Sequence, residues 1–364
     1  MVQSSQSKRP MLLYLAIFLG LSWTAYTLFT RTSERAIATY EDMGTVVDSD
    51  RIQQYDINAQ PELADMIKLI DLSPNFLPQT GKNRHAGRLV IVGDVHGMKD
   101  ALVDLLDKVK FNSKRDHLIL AGDMISKGPD SPGVVDLAMK LGATGVRGNH
   151  EDRILHAHAD MEAKHLSMDA PDPSENKNKG QDGLEEESSS HDGYKDRMLV
   201  KELGEHRIKW LKKCPVILRV GKLGSLGEVV VVHAGLAPGV ELEKQDPVMV
   251  MNMRTMKDGV PSDERDGHAW RKVRYSALNS SCSKDTNCRW LQAWNKHQKS
   301  LPEKERTTAI YGHDSKRGLS IEDYSMGIDT GCLKGGKLTA VVIEGGHSDH
   351  THKIVHVNCK DGRV

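Results

Sequence analysis

The chain has 364 residues in which 50 Lys plus Arg balance 50 Asp plus Glu, so no global field draws in a polyanion, and no nucleic-acid partner is expected. The five cysteines form no C-x-x-C pair, which argues against a cysteine zinc site. The 17 histidines fit metal chemistry without showing it.

No charge falls between Pro10 and Thr30, and Met11 to Phe29 is largely apolar, about the ~20 residues a membrane-spanning helix needs. Tyr14 lies near one end of this run, and Trp23 with Tyr26 near the other, as in an aromatic belt. After a short tail over 1–10, the pattern predicts a transmembrane signal anchor over 11–30. The run is longer than the apolar part of a cleaved signal peptide and shows no A-x-A site. Lys8 and Arg9 precede the span, which predicts a single-pass type II membrane protein of the secretory pathway. Asn279-Ser280-Ser281 is a glycosylation acceptor, and Cys282 and Cys288 flank a polar loop that a disulfide would close in an oxidising compartment. Residues 31–87 read as a stalk, with a short helix over Glu62–Ile70.

From Arg88 onward the pattern is α/β. Leu89–Val92 and Leu118–Ala121 are apolar runs of the kind buried in parallel sheets. They lead into Gly93-Asp94-Val95-His96-Gly97 and Gly122-Asp123-Met124. Helices are predicted over Lys99–Lys110 and Pro132–Leu141. A short strand over Ala143–Val146 enters Arg147-Gly148-Asn149-His150-Glu151, and a helix follows over Asp152–His165. Leu166–Asp192 is acidic and polar, lacks aromatic and β-branched residues, and is expected to be disordered. A helix over Tyr194–Lys213 and strands over Val216–Val220 and Val229–Val232 come next, the last ending in His233-Ala234-Gly235. Residues 240–307 read as an insertion carrying Trp270, Trp290 and Trp294. Thr308–Tyr311 leads to Gly312-His313-Asp314, and strands over Ser320–Ile328, Lys337–Glu344 and Lys353–Asn358 close the domain. Gly345–His352, with three histidines, reads as a solvated hairpin loop.

Ligands in open α/β sheets gather beyond the carboxyl ends of strands, where these motifs fall. Asp94 and His96 can reach one ion, Asp123 can bridge it to a second, and Asn149, His233 and His313 can complete the second site. Such a nitrogen and oxygen set suits zinc, manganese, cobalt or iron. Each motif alone is compatible with an ordinary turn; the five strand-end motifs together point to two metal ions.

The order G-D-x-H-G, G-D, R-G-N-H-E, V-H-A-G, Y-G-H and D-T-G-C-x-x-G-G-K-L resembles the calcineurin-like metallophosphoesterase superfamily, near bacterial dinucleoside polyphosphatases and serine/threonine phosphatases. The resemblance covers about Arg88 to Glu344. It implies an αββα sandwich of two mixed sheets flanked by helices, here preceded by the anchor. It also implies two divalent ions, zinc first, held by Asp94, His96 and Asp123 and by Asp123, Asn149, His233 and His313. His150 would protonate the leaving oxygen. Where phosphoprotein phosphatases read G-D-x-V-D-R-G, this chain has Ser126 for the second Asp and Lys127 for the Arg. Lys127, Arg147 and Arg254 are the substrate-gripping candidates, Arg147 as the phosphate clamp.

Anchor and core together resemble the zinc-dependent endopolyphosphatases of fungal vacuoles. That implies an enzyme at the vacuolar membrane hydrolysing internal phosphoanhydride bonds of inorganic polyphosphate with a hydroxide activated by two metals. A serine/threonine phosphoprotein phosphatase or a dinucleoside polyphosphate hydrolase is the alternative. A non-catalytic scaffold that uses the Trp-bearing insertion as a binding surface is the third reading.

Overall fold

The computed structural model describes residues 63–81, 87–166, 187–257, 260–262 and 288–363. The anchor, Asn279, Cys282, Trp270 and the segment 167–186 lie outside them. Among the described residues no helix is long and apolar enough to cross a membrane.

In chain order the elements begin with β1 (Leu69–Asp71), β2 (Leu89–Val92), α1 (Lys99–Lys108), β3 (His117–Leu120), α2 (Ser131–Lys140), β4 (Thr144–Gly145) and α3 (Asn149–Ala163). Next come α4 (Glu187–Leu211), β5 (Ile217–Lys222), β6 (Glu228–Val232), α5 (Pro247–Asn252), β7 (Thr255–Lys257), β8 (Val260–Ser262) and β9 (Cys288–Arg289). The last are α6 (Trp290–Ser300), β10 (Thr307–Tyr311), β11 (Ser320–Glu322), β12 (Ser325–Gly327), β13 (Lys337–Gly345) and β14 (His350–Asn358).

Two mixed sheets result, ordered β14-β13-β2-β3-β4 and β1-β5-β6-β10-β12-β11, with a small third sheet β8-β7-β9. β2, β3 and β4 run parallel, as do β6, β10 and β12, so each sheet sends its central carboxyl ends in one direction.

Side-chain alternation explains the layering. Leu89 and Ile91 of β2, with Val229 and Val231 of β6, fill the space between the sheets. Val90 and Val92 face the other way, onto α1, α2, α3 and α4 through Leu102, Leu105, Val134, Ile154 and Leu203. Val230, Val232 and Tyr311 pack outward onto Val250, Met251, Trp290 and Trp294. Helix, sheet, sheet and helix stack in that order, which is the architecture expected from the resemblance.

Several sequence expectations are corrected. Of the short helix expected over Glu62–Ile70, residues 63–70 form none: Leu69–Asp71 forms β1, parallel to β5, and Leu72 is buried, so this part of the supposed stalk belongs to the domain. α4 begins at Glu187, inside the segment expected to be disordered, and breaks at Gly204, whose φ of 66° and ψ of 165° interrupt the helix. Ser320–Ile328 is a tight hairpin of β11 and β12 rather than one strand. Trp290 and Trp294 are 2% and 3% exposed, and Trp294 Nε1 donates to the Tyr324 carbonyl at 2.9 Å. These two tryptophans are core residues, which removes them as a scaffold's binding surface. A disulfide joins Cys332 to Cys359, a pair the cysteine reading did not name; the Cys282–Cys288 pair it did name involves Cys282, which lies outside the described residues.

Candidate metal centre

The first ligand candidates leave β2. Gly93 follows the strand, and Asp94 is buried with its carboxylate accepting the His313 backbone N–H at 3.0 and 3.1 Å. Gly312 is required there, because a Cβ at that position would lie 2.0 Å from Asp94 Oδ1. His96 Nδ1 donates to the Ile125 carbonyl at 3.1 Å, which turns Nε2 to within 3.5 Å of Asp123 Oδ2.

Asp123 stands at the middle. His96 and His150 approach its Oδ2 at 3.5 and 3.9 Å, and His233 Nε2 approaches Oδ1 at 3.3 Å. Burial works against its charge, but His233, His150 and His96 outweigh burial and hold the carboxyl well below the usual range. Asp94 behaves oppositely: burial, with Asp329 and Asp123 nearby, pushes its carboxyl well above that range.

The second half of the cluster comes from β6, β10 and the start of α3. His233 Nδ1 donates to the Ala121 carbonyl at 2.9 Å, leaving Nε2 facing Asn149 Oδ1 at 3.0 Å. His313 Nε2 donates to the Asn252 carbonyl at 3.1 Å, leaving Nδ1 pointing at His233 Nε2, also at 3.1 Å. Two imidazole nitrogens, an amide oxygen and a carboxylate oxygen thus converge, each with its other side fixed. All four are electron-pair donors, and only a cation satisfies them together. The donor set fits a divalent ion of the zinc, manganese, cobalt or iron kind. His96, Asp123 and His150, and Asp123, His233 and His313, are each close enough to share an ion.

The loops that hold these groups are bent out of ordinary backbone space. Of seven described non-glycine residues with positive φ, five are His96, Asp123, Ser126, Lys127 and His313. Left-handed backbone at such residues marks a place where the fold enforces geometry that local sequence resists. Glu151, to which the sequence reading gave no role, does part of the enforcing. Its carboxyl group accepts N–H bonds from Asp123 and Gly148 at 2.8 Å each, and from Met124 and Ile125 at 2.8 and 3.2 Å. Complete burial next to Asp123 pushes that carboxyl up to about 7.

Asp329 was also missed. It sits beyond β12 beside Asp94 and accepts the Gly331 N–H at 3.1 Å. The strand-end rule that picked out the other motifs applies equally to it.

The substrate-gripping candidates divide. Arg254 Nη2 donates to the His313 carbonyl at 3.3 Å, so it stands against the second half of the cluster. Lys127 is an exposed residue beside Asp123 and Asp94, and partial burial lowers its ammonium from the ordinary lysine value despite these carboxylates. Arg147 is not a clamp: it is 0% exposed, donates to the Lys212 carbonyl at 3.3 Å and lies 3.5 Å from Asp152. A phosphate cannot reach a guanidinium enclosed in the interior. His150 is buried beside Asp123 and His96, with its Nδ1 bonded to no described group, and burial holds it well below the usual histidine value.

An αββα sandwich with acidic and imidazole side chains gathered at the carboxyl ends of both sheets is the architecture of the metallophosphoesterases. The profile of the calcineurin-like phosphoesterase family matches residues 87–317, and the chain belongs to that family, as a hydrolase. A zinc-dependent endopolyphosphatase of Saccharomyces cerevisiae is 26% identical over 283 residues, covering 74% of this chain and 80% of the relative. The symmetrical bis(5'-nucleosyl)-tetraphosphatase of Nitrosospira multiformis is 29% identical over 290 residues, covering 70% and 91%. That of Vibrio parahaemolyticus is 26% identical over 283 residues, covering 69% and 93%. A crystal structure provisionally described as a diadenosine tetraphosphatase superposes with a TM-score of 0.51 at 25% identity, over 81% of this chain and all of the other.

Proposed function

We propose that the chain is a metal-dependent endopolyphosphatase that hydrolyses internal phosphoanhydride bonds of inorganic polyphosphate. The observation that carries this reading is the placement of the exposed Lys127 near Asp123 and Asp94 and of Arg254 against His313, so that a cationic group stands beside each half of the cluster. A polymer with a charge on every phosphate matches such a site, and the similarity to the yeast endopolyphosphatase supports it.

In this reading Asp94, His96 and Asp123 hold one divalent ion, and Asp123, Asn149, His233 and His313 the other, zinc being the first choice. Bound ions would neutralise phosphate charge and lower the pKa of a water. The chain's own residues do the rest. Asp123 fixes the spacing of the two halves, Arg254 and Lys127 orient the phosphates, and His150 delivers a proton to the leaving oxygen. The Cys332–Cys359 disulfide supports an oxidising, secretory compartment, in keeping with the proposed type II anchor over 11–30 and a vacuolar location.

The second reading is a dinucleoside polyphosphate hydrolase, favoured by the nearly complete coverage of the bacterial tetraphosphatases. Purified protein incubated with long-chain polyphosphate, diadenosine tetraphosphate and a phosphopeptide, each with a panel of divalent ions, separates the possibilities. Intermediate-length fragments on a gel are expected from polyphosphate. Their absence with every ion, alongside rapid cleavage of the dinucleotide, would replace the first reading by the second.

A further inference from the structure

We propose that Lys127 and Lys334 together form a subsite for a neighbouring phosphate of the substrate chain on the His150 side of the site, opposite Arg254. The inference rests on the polyphosphate reading and adds Lys334, to which the sequence reading gave no role.

Two loops meet at this edge. One follows β3 and carries Ser126 and Lys127 in left-handed backbone, with φ of 72° and 68°. The other, Gly331–Gly336, follows Asp329, which stands beside Asp94 and accepts the Gly331 N–H. The C-terminal segment joins them. Gly362 N–H donates to the Leu333 carbonyl at 3.0 Å, and a Cβ on Gly362 would lie 2.1 Å from Met98 Sδ and 3.5 Å from Pro129 Cδ. Lys334 bridges to Asp361 through backbone, and the disulfide from Cys332 to Cys359 closes the same corner. The second loop is therefore tied to the Lys127–Pro129 turn rather than free beside it.

Both residues are exposed, and among the described residues neither is within salt-bridge distance of a carboxylate. Lys127 is close enough to Asp123 and Asp94 for attraction, and close enough to Arg153 and, more weakly, Lys334 for repulsion. Two like charges at the rim, one of them beside the acidic residues of the cluster, are a receptor for an anion with more than one charge. Lysine suits a sliding polymer, because a point charge accepts a phosphate from many directions whereas a guanidinium fork selects one. With Arg254 on the far side, a bound chain would continue past the ligands in both directions, which is the requirement for internal cleavage.

The test compares wild type with Lys334→Ala, Lys334→Glu and Lys334→Arg in the full chain. Binding of fluorescently labelled long-chain polyphosphate to metal-free protein is followed by anisotropy at several salt concentrations. Hydrolysis of long-chain polyphosphate and of p-nitrophenyl phosphate is measured with metal. Lys334→Glu should weaken polyphosphate binding about tenfold and flatten its salt dependence. Lys334→Ala should raise KM for long chains several-fold with kcat nearly unchanged, Lys334→Arg should restore it, and p-nitrophenyl phosphate hydrolysis should stay at the wild-type level in all three. Wild-type-like binding and KM in Lys334→Glu would overturn the subsite, as would an equal loss on both substrates, which signals a structural role. If wild type itself cleaves only p-nitrophenyl phosphate, the polyphosphate reading has failed, and the subsite falls with it.

Discussion

His233 Nε2 and His313 Nδ1 face one another at 3.1 Å, while the remaining nitrogen of each ring is occupied by a backbone carbonyl, that of Ala121 and that of Asn252. Two rings fixed from behind cannot turn away, so the electron pairs in front stay aimed at one point. Orientation by such outer partners is as much a part of a metal centre as the ligands themselves.

Asp123 touches both halves of this centre. Asp123→Asn keeps the shape and removes the charge, and should lower hydrolysis at least about a hundredfold. Elemental analysis of the purified variant checks the cause: bound metal should fall below the wild-type content. A variant with full metal content and full activity would remove Asp123 from the centre.

Ser126 occupies the position where phosphoprotein phosphatases carry an Asp. Its Oγ and His150 Nδ1 are both buried, and neither bonds to a described group. Aspartate tolerates left-handed backbone better than most residues, so Ser126→Asp suits the φ of 72°. A carboxylate near His150 favours the imidazolium and raises its pKa. Because the protonated form donates the proton, the alkaline limb of the pH–rate profile should move up by about one pH unit. An unmoved limb would mean that residue 126 does not address His150.

Glu151 ties four N–H groups of two ligand-bearing loops to the start of α3. Glu151→Gln places an amide N–H2 among those donors and leaves some of them buried without an acceptor. A loss on the order of 3 kcal/mol is expected in chemical denaturation. Metal affinity, measured by titration with a competing chelator, should weaken in parallel.

His117 is buried, stacked on Phe76 at 3.8 Å between ring centroids, with Nε2 2.9 Å from Thr144 Oγ1. Burial lowers its pKa from 6.5 to about 4. The unfolded chain then takes up a proton between those values while the fold does not, so this contribution is intact above the unfolded pKa and lost as pH falls toward the folded one. Between pH 7 and pH 5 it should remove about 2 kcal/mol of stability. Urea titrations of His117→Gln should show a smaller acid loss than wild type; equal losses would acquit His117.

The sheets and their strand-end motifs were legible because each rests on local pattern, an apolar run closed by Gly and a polar residue. Asp94, His96, Asp123, Asn149, His233 and His313 are brought to one place by that rule alone. β1 was not legible, since three residues form a strand only when β5 is there to pair with them. Arg147 misled for a related reason: its sequence neighbours are ligand-like, and its burial against Lys212 is set by a chain segment 65 residues away. The Cys332–Cys359 pair spans 27 residues and depends on the register of β13 with β14, which no spacing announces. Trp290 and Trp294 were assigned to an insertion because their helix is separated from the other elements by polar sequence, yet Val232 and Tyr311 need them as a lid over the outer face of the second sheet.

The left-handed turns at His96, Asp123, Ser126, Lys127 and His313 have a consequence for how the protein tolerates change. None of the ligands among them can be exchanged for glycine, so the tension in these loops cannot be relieved where it arises. It is balanced by the rigidity of the two sheets behind. Damage to the sheets, even far from the ligands, would let the turns slacken before the domain comes apart. The affinity for metal thus becomes a gauge of core integrity, and substitutions that loosen Val92, Leu120 or Ile310 should first show themselves as an enzyme that loses its ions.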